Sequence, residues 1–159
     1  MSFRFYHTVF SAAAQEPFFR SVRGRKGFSM KVNPLLLVEY ARAARANAYC
    51  PYSGFAVGAA LMASSGEVYC GVNCESASYG ATVCAERAAL CAAVTAGETS
   101  FLALAVAAGD GPVTPCGVCR QMLAEFGDMP VFCAAAEGDD IRQTTLSALL
   151  PDAFTRGAL

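Results

Sequence analysis

Two short stretches, Cys84-Ala85-Glu86-Arg87 and Pro115-Cys116-Gly117-Val118-Cys119-Arg120, limit what this chain can fold into more than any other feature. Cys116 and Cys119 have the two-residue gap that lets two sulfurs reach one metal ion from a tight turn, and Cys84 adds a third from a distant segment. A catalytic zinc usually takes three protein ligands and leaves its fourth position to water, whereas a structural zinc is closed by a fourth Cys or His. The fold must therefore bring these two stretches together. Glu86 follows Cys84 by two residues, which on the side of a helix would turn it roughly 200° away. In the first turn of a helix, however, both side chains can fold toward a point beyond the helix end. The pattern predicts one helix from Cys84 to Val94, with Gly97 just past its end, and a second from Cys116 to Phe126, stopped by Gly127. Both N-termini would aim at the metal. Zinc with three thiolates carries a net charge of minus one, which helix N-termini favour, and Arg87 and Arg120 beside the ligands are expected to offset it further.

Each residue also has a plainer reading. Alone, the Cys-x-x-Cys pair suits a redox site or half a zinc ribbon as well as it suits catalysis. Glu86 alone would complement a helix dipole and Arg87 would be a solvated helix residue. Asn73 and Glu75 would end a strand and begin a turn, and Phe55 and Phe154 would be core side chains. The Cys-x-Glu beside the pair is what favours a hydrolytic site. The other five cysteines, Cys50, Cys70, Cys74, Cys91 and Cys133, sit among apolar residues and are expected to be small buried hydrophobes. His7, the only histidine, lies far from every motif and receives no role.

Three further stretches accompany the ligand motifs: Tyr49-Cys50-Pro51-Tyr52-Ser53-Gly54-Phe55-Ala56-Val57-Gly58-Ala59-Ala60-Leu61, Gly71-Val72-Asn73-Cys74-Glu75 and Leu149-Leu150-Pro151-Asp152-Ala153-Phe154. With these five motifs in order, the chain from Leu35 to Phe154 resembles the cytidine deaminases of pyrimidine salvage, of the small homotetrameric three-cysteine kind. The resemblance implies hydrolytic deamination of cytidine and deoxycytidine to uridine and deoxyuridine, with one Zn2+ per subunit held by Cys84, Cys116 and Cys119. Glu86 would shuttle protons between zinc-activated water, N3 of the cytosine ring and the departing amine. By the same resemblance Asn73 and Glu75 hold the ribose hydroxyls, the backbone at Ala85 meets the base, Phe55 packs on the pyrimidine and Arg87 bonds a ligand sulfur. Tyr79 and Phe154 match positions that reach a neighbouring subunit's pocket. The chain departs from the pattern at Ser76, where the family often has Asn, and this bears on the packing of that loop. A deaminase for another cytosine nucleoside, such as blasticidin S, is the alternative. The Arg87 after Cys-Ala-Glu and the Asn73-Cys74-Glu75 motif favour the first reading. A nucleic-acid-editing module would need a basic, aromatic groove that is not evident, and a catalytically dead paralogue is disfavoured by the intact Glu86.

Charge supports a small uncharged substrate. Residues 1–29 carry Arg4, Arg20, Arg23, Arg25 and Lys26 against Glu16 alone, a net of plus four, while the remainder holds seven basic and twelve acidic residues, a net of minus five. An acidic catalytic part argues against a nucleic-acid partner. The basic extension, residues 1–29, is expected to be a disordered tail or translated sequence ahead of a start at Met30, with residues 30–159 as the zinc-dependent domain. The chain is 55% hydrophobic and only 16% charged, a surplus that suggests surface buried between subunits. Eight cysteines with no secretory signal point to a reducing, cytoplasmic compartment, and no apolar stretch approaches the roughly 20 residues a membrane span needs.

The elements follow from spacing. Asn33 as cap and Pro34 at the first position start a helix that runs to about Ala48 and is stopped by Pro51. Ala56–Ala63 and Glu67–Asn73 read as an antiparallel hairpin turned at Ser64-Ser65-Gly66. Phe101–Ala108 and Val131–Ala135 are continuous apolar runs suited to buried strands in parallel crossover units. Thr145–Leu150 gives a short closing helix. The expected architecture is a three-layer α/β/α fold with one mixed sheet of about five strands, the fold that the family resemblance also implies.

Overall fold

The computed structural model describes residues 32–158, so the expectations for the basic extension, His7 and the start at Met30 lie outside the described residues. Helix α1, Pro34–Arg45, begins as its sequence dictates. The Asn33 side chain accepts a hydrogen bond from the Leu36 N–H at 3.2 Å, and Pro34, with no N–H to leave unpaired, opens the first turn. The helix stops three residues before the expected Ala48. The N–H groups of Asn47 and Ala48 turn back to the carbonyls of Ala44 and Arg45, a tightened last turn that ends the α pattern.

Strands β1 (Val57–Ala63) and β2 (Val68–Val72) form the hairpin. Helix α2 (Ala85–Thr95) follows, then β3 (Phe101–Ala108), α3 (Gly117–Ala124), β4 (Pro130–Ala134), β5 (Ile141–Thr145) and the short α4 (Leu146–Leu149). The sheet order is β2-β1-β3-β4-β5, with β3 and β4 parallel and the other three pairs antiparallel. The sheet is mixed and has five strands. The fifth, β5, was not singled out by the sequence reading. Its residues Ile-Arg-Gln-Thr-Thr offer no buried apolar alternation, and it is fixed by its backbone ladder to β4.

Alternation along the strands explains the layers. Ala59, Leu61, Leu104, Val106, Val131 and Cys133 face one side and pack on Ala85, Ala89, Leu90 and Ala93 of α2, Leu123 of α3 and Leu146 of α4. Ala60, Ala103, Ala105, Ala107, Phe132 and Ala134 face the other side and pack on Leu37, Val38 and Ala41 of α1. Both faces are covered, which is why β1 and β3 read as unbroken apolar runs. The backbone also approaches closely at two glycines. A Cβ on Gly58 would strike Ala41 and Arg45 of α1, and one on Gly71 would strike Ala85 and Ala89 in the first turns of α2. No helix among the described residues is long and apolar enough to cross a membrane.

Of the five cysteines expected to be buried, only Cys133 is. Cys50 is half-buried, and Cys70, Cys74 and Cys91 are exposed in this chain. Apolar neighbours in sequence misled here because helical and strand periods, not local composition, choose the buried face. On α2 the buried stripe is Ala85, Glu86, Ala89, Leu90 and Ala93, which leaves Cys91 outside it, and Cys70 lies on the edge strand β2.

Candidate active site

Cys84 is the N-cap of α2 and Cys116 the N-cap of α3, and neither makes the side-chain hydrogen bond that a capping residue normally gives its helix. Their sulfurs turn instead toward each other. The Cys84 and Cys116 sulfurs are 3.8 Å apart, those of Cys116 and Cys119 are 3.5 Å apart, and all three lie within 4.8 Å of one another. Tetrahedral zinc with Zn–S bonds of about 2.3 Å sets its sulfurs about 3.8 Å apart. Among the described residues these three are the only cluster of His, Cys, Asp and Glu side chains spaced to hold a metal. With Cys116 exposed and Cys84 half-buried, the cluster opens toward solvent on one side while Cys119 closes it toward the core.

The electrostatics match a centre built for a cation. Burial, and then the charge of Glu86, push the Cys84 thiol above its ordinary range, and the same two causes raise Cys119 far more. Burial also pushes up on Cys116, but the Cys119 backbone N–H and the two neighbouring thiols outweigh it, and Cys116 lies below its ordinary value. Three sulfurs this close resist becoming thiolates together unless a positive ion sits among them. A divalent zinc meets that requirement, and the donor set is the one it prefers. Arg87 supplies positive charge from α2. Its Nη2 donates to the Thr82 carbonyl at 2.7 Å and reaches the Cys84 sulfur at 4.0 Å, and its buried Nε has no hydrogen-bond partner among the described residues. Arg120, expected to play the same part, does not face the sulfurs with its donors; they go to the oxygens of Pro115, Leu149 and Thr114.

Glu86 is 4% exposed, at the second position of α2. Burial raises its carboxyl above the ordinary carboxylate range, partly opposed by its own backbone N–H, the Cys119 thiol and the Arg87 charge. It is thus a buried carboxyl two residues from one candidate ligand, on the helix that this ligand caps. Ala85 beside it is fully buried.

Asn73, Glu75, Phe55 and Tyr79 lie on the segments around the entry to α2, whereas Phe154 is tied to α3 through Gln121. Val83, just before Cys84, exchanges backbone hydrogen bonds with Cys74, and the Glu75 N–H donates to the Tyr49 carbonyl, so the 73–75 segment is laced between the 49–57 loop and the metal-ligand helix. The Asn73 side chain braces that loop, accepting from the Val57 N–H at 2.8 Å and donating to the Phe55 carbonyl at 2.9 Å. Glu75 accepts from the Tyr52 and Ser53 N–H groups at 3.0 and 3.2 Å and from the Ser53 hydroxyl, and these bonds, the hydroxyl first, hold its carboxyl below the usual range. Between them these residues present Phe55, which is 43% exposed and lies against Gly109 at the end of β3. Tyr79 and Phe154 are 68% and 62% exposed. Neither Phe55 nor Phe154 is a core side chain. The sequence reading missed Tyr52, whose exposed ring pairs with Tyr79 at a centroid distance of 6.3 Å. Its place in the Pro-Tyr-Ser turn of the Tyr49–Leu61 stretch, three residues before Phe55, was the available signal.

Comparison with known proteins points the same way. A family model described as the cytidine and deoxycytidylate deaminase zinc-binding region matches residues 33–135. A cytidine deaminase from Sporosarcina psychrophila is 51% identical over 123 residues, covering 76% of this chain and 90% of that one, and a probable cytidine deaminase from Dictyostelium discoideum is 43% identical, covering 75% and 82%. Among solved structures, a cytidine deaminase from Burkholderia pseudomallei superposes with a TM-score of 0.74 at 47% identity over 77% of this chain and 100% of that one. One from Mycobacterium tuberculosis gives 0.67 at 42% identity, over 78% and 98%.

Proposed function

This chain belongs to the family of cytidine and deoxycytidylate deaminases with a zinc-binding region, and from that premise we propose that it hydrolyses cytidine and deoxycytidine to uridine and deoxyuridine, releasing ammonia, in pyrimidine salvage. One observation carries the reading: three sulfurs at zinc spacing beside a buried carboxyl that starts the same helix as one of them. Held by Cys84, Cys116 and Cys119, zinc would supply a water of lowered pKa for attack on C4, the ring carbon that bears the amino group. Glu86 moves the protons. Its raised carboxyl takes the first proton of the attacking water and gives it to ring N3, then takes the second from the new C4 hydroxyl and gives it to the amino group, which leaves as ammonia. Arg87 and the first turns of α2 and α3 balance the negative charge that three thiolates bring.

Asn73 and Glu75 serve the substrate while bracing the loop that presents Phe55. Asn73 keeps one amide N–H beyond its bond to Phe55, and a carboxylate can accept more than the bonds Glu75 already holds, so both retain capacity for ribose hydroxyls. Phe55 packs on the ring, and the backbone at Ala85 meets the base. Tyr79 and Phe154, exposed in one chain, complete a pocket across subunits in a homotetramer. The eight free thiols suit a reducing, cytoplasmic setting. The basic segment 1–29 takes no part in the chemistry.

The test is a spectrophotometric assay following the loss of cytidine absorbance, with the enzyme before and after chelator treatment and after zinc is restored. Turnover of cytidine that is lost on chelation and regained with zinc is the expected result. A zinc-loaded enzyme that leaves cytidine intact would refute the reading.

A further inference from the structure

Arg120 follows the third sulfur and its guanidinium bonds two separate stretches of chain. Nε donates to the Pro115 carbonyl at 2.6 Å, Nη2 to the Thr114 hydroxyl at 2.8 Å and Nη1 to the Leu149 carbonyl at 2.7 Å. The Pro115 carbonyl belongs to the peptide unit whose nitrogen is that of Cys116, so this bond fixes the plane through which the chain enters a metal-ligand residue. Apart from the burial of the Pro115 side chain, little else fixes it. Residues 112–116 are in no helix or strand, and among the described residues no backbone–backbone hydrogen bond involves 110–115. The neighbouring Gln121 donates from Nε2 to the Phe154 carbonyl at 2.6 Å. Arg120 and Gln121 thus fasten both ends of the 149–154 segment to α3.

We infer that Arg120 is a positioning residue for the metal centre, holding the Thr114-Pro115-Cys116 entry in place by clamping it to the C-terminal segment at Leu149. The inference rests on the reading of the three sulfurs as zinc ligands and adds to it a support that lies behind them. Arg120 acts through its shape, since all three of its bonds run to neutral oxygens in the directions a planar guanidinium fork provides. A lysine places one ammonium on a flexible stem and cannot span three acceptors so disposed. Partners that orient metal ligands typically change metal affinity by 10–100-fold when removed.

The experiment uses the full chain loaded with zinc or with cobalt. Zinc affinity is measured by chelator competition, the ligand geometry by the visible absorption of the cobalt form, and steady-state kinetics with cytidine give kcat and KM separately. Arg120→Lys should weaken zinc binding about 10-fold or more, alter the cobalt bands and lower kcat more than it raises KM. Thr114→Val, which removes one acceptor and disturbs packing little, should act in the same direction by a smaller factor, and it carries the test if Arg120→Lys does not fold. Gln121→Ala, which frees only the Phe154 end, should keep zinc affinity within about twofold and raise KM. Parent-like zinc affinity and cobalt bands in both Arg120→Lys and Thr114→Val would overturn the inference. So would an equal loss of zinc affinity in Gln121→Ala, since the effect would then be general loosening. Failure of the parent chain to bind zinc at all would instead overturn the reading of the sulfurs on which the inference stands.

Discussion

Gly71→Ala tests how closely the sheet fixes the catalytic helix. Gly71 lies on β2, and a Cβ there would come within 3.0 Å of the Ala85 carbonyl oxygen and the Ala89 nitrogen and reach 3.0 Å from the Ala88 carbonyl carbon. Ordinary carbon contacts begin near ~3.5 Å, so these atoms must retreat by more than about 0.5 Å. All three are backbone atoms of the first turns of α2 and cannot yield one by one, so the helix end must move as a body, with Glu86 and the chain leaving Cys84. Overpacking of this kind destabilises by about 1–3 kcal/mol, or a fall in Tm of about 3 °C or more. A displacement near 1 Å at a reacting group is worth about 100-fold in rate, so kcat/KM should fall by roughly 10–100-fold. Gly97→Ala is the matched control at the other end of α2. Gly97 has a φ of +94° and nothing within 4 Å of the added methyl, so the change strains the backbone by about 1–2 kcal/mol without pressing on anything. Thermal unfolding and the cytidine assay, run at a temperature where both variants are folded, separate the two effects. Both should lose stability, and only Gly71→Ala should lose activity. Parent-like activity in Gly71→Ala, or an equal loss in Gly97→Ala, would refute the argument.

Glu86→Gln should keep its zinc and fold yet lose turnover by at least about 10²–10⁴-fold, because the carboxyl serves more than one proton transfer; elemental analysis and the cytidine assay on the same sample check both halves. Cys116→Ala should release zinc and lower thermal stability, since metal binding contributes directly to folding free energy, and full metal content in that variant would contradict this. The Glu75 carboxyl is held below its ordinary value by Ser53 and Tyr52, so its ionised form stabilises the fold above about pH 4.5, and that contribution is lost as pH falls through the lower folded value. Acid titrations followed by circular dichroism should therefore show the parent more stable than Glu75→Gln above that pH, with the gap closing below it.

The parts of the fold legible in the sequence were those written in local chemistry. Asn33-Pro34 marked a helix start, Gly97 and Gly127 marked two helix ends, the Ser64-Ser65-Gly66 turn marked the β1–β2 hairpin, and continuous apolar runs marked β3 and β4. The metal centre was legible because zinc restricts ligand number and spacing so strictly that three cysteines and a glutamate narrow the choices. What sequence could not reveal depends on partners far along the chain. β5 is a strand because β4 offers it a ladder, and Cys70 and Cys91 are exposed because of the face they occupy. Arg120 looked like a counter-charge from its place beside Cys119. Its role is set by Leu149, 29 residues away, and no local pattern announces that bond.

The most direct measurement of the central claim is zinc K-edge X-ray absorption on the purified chain. The account predicts three sulfur scatterers at about 2.3 Å and one oxygen at about 2.0–2.1 Å, the signature of three cysteines and an open position held by water. Four sulfurs, or a histidine in place of any of them, would contradict it.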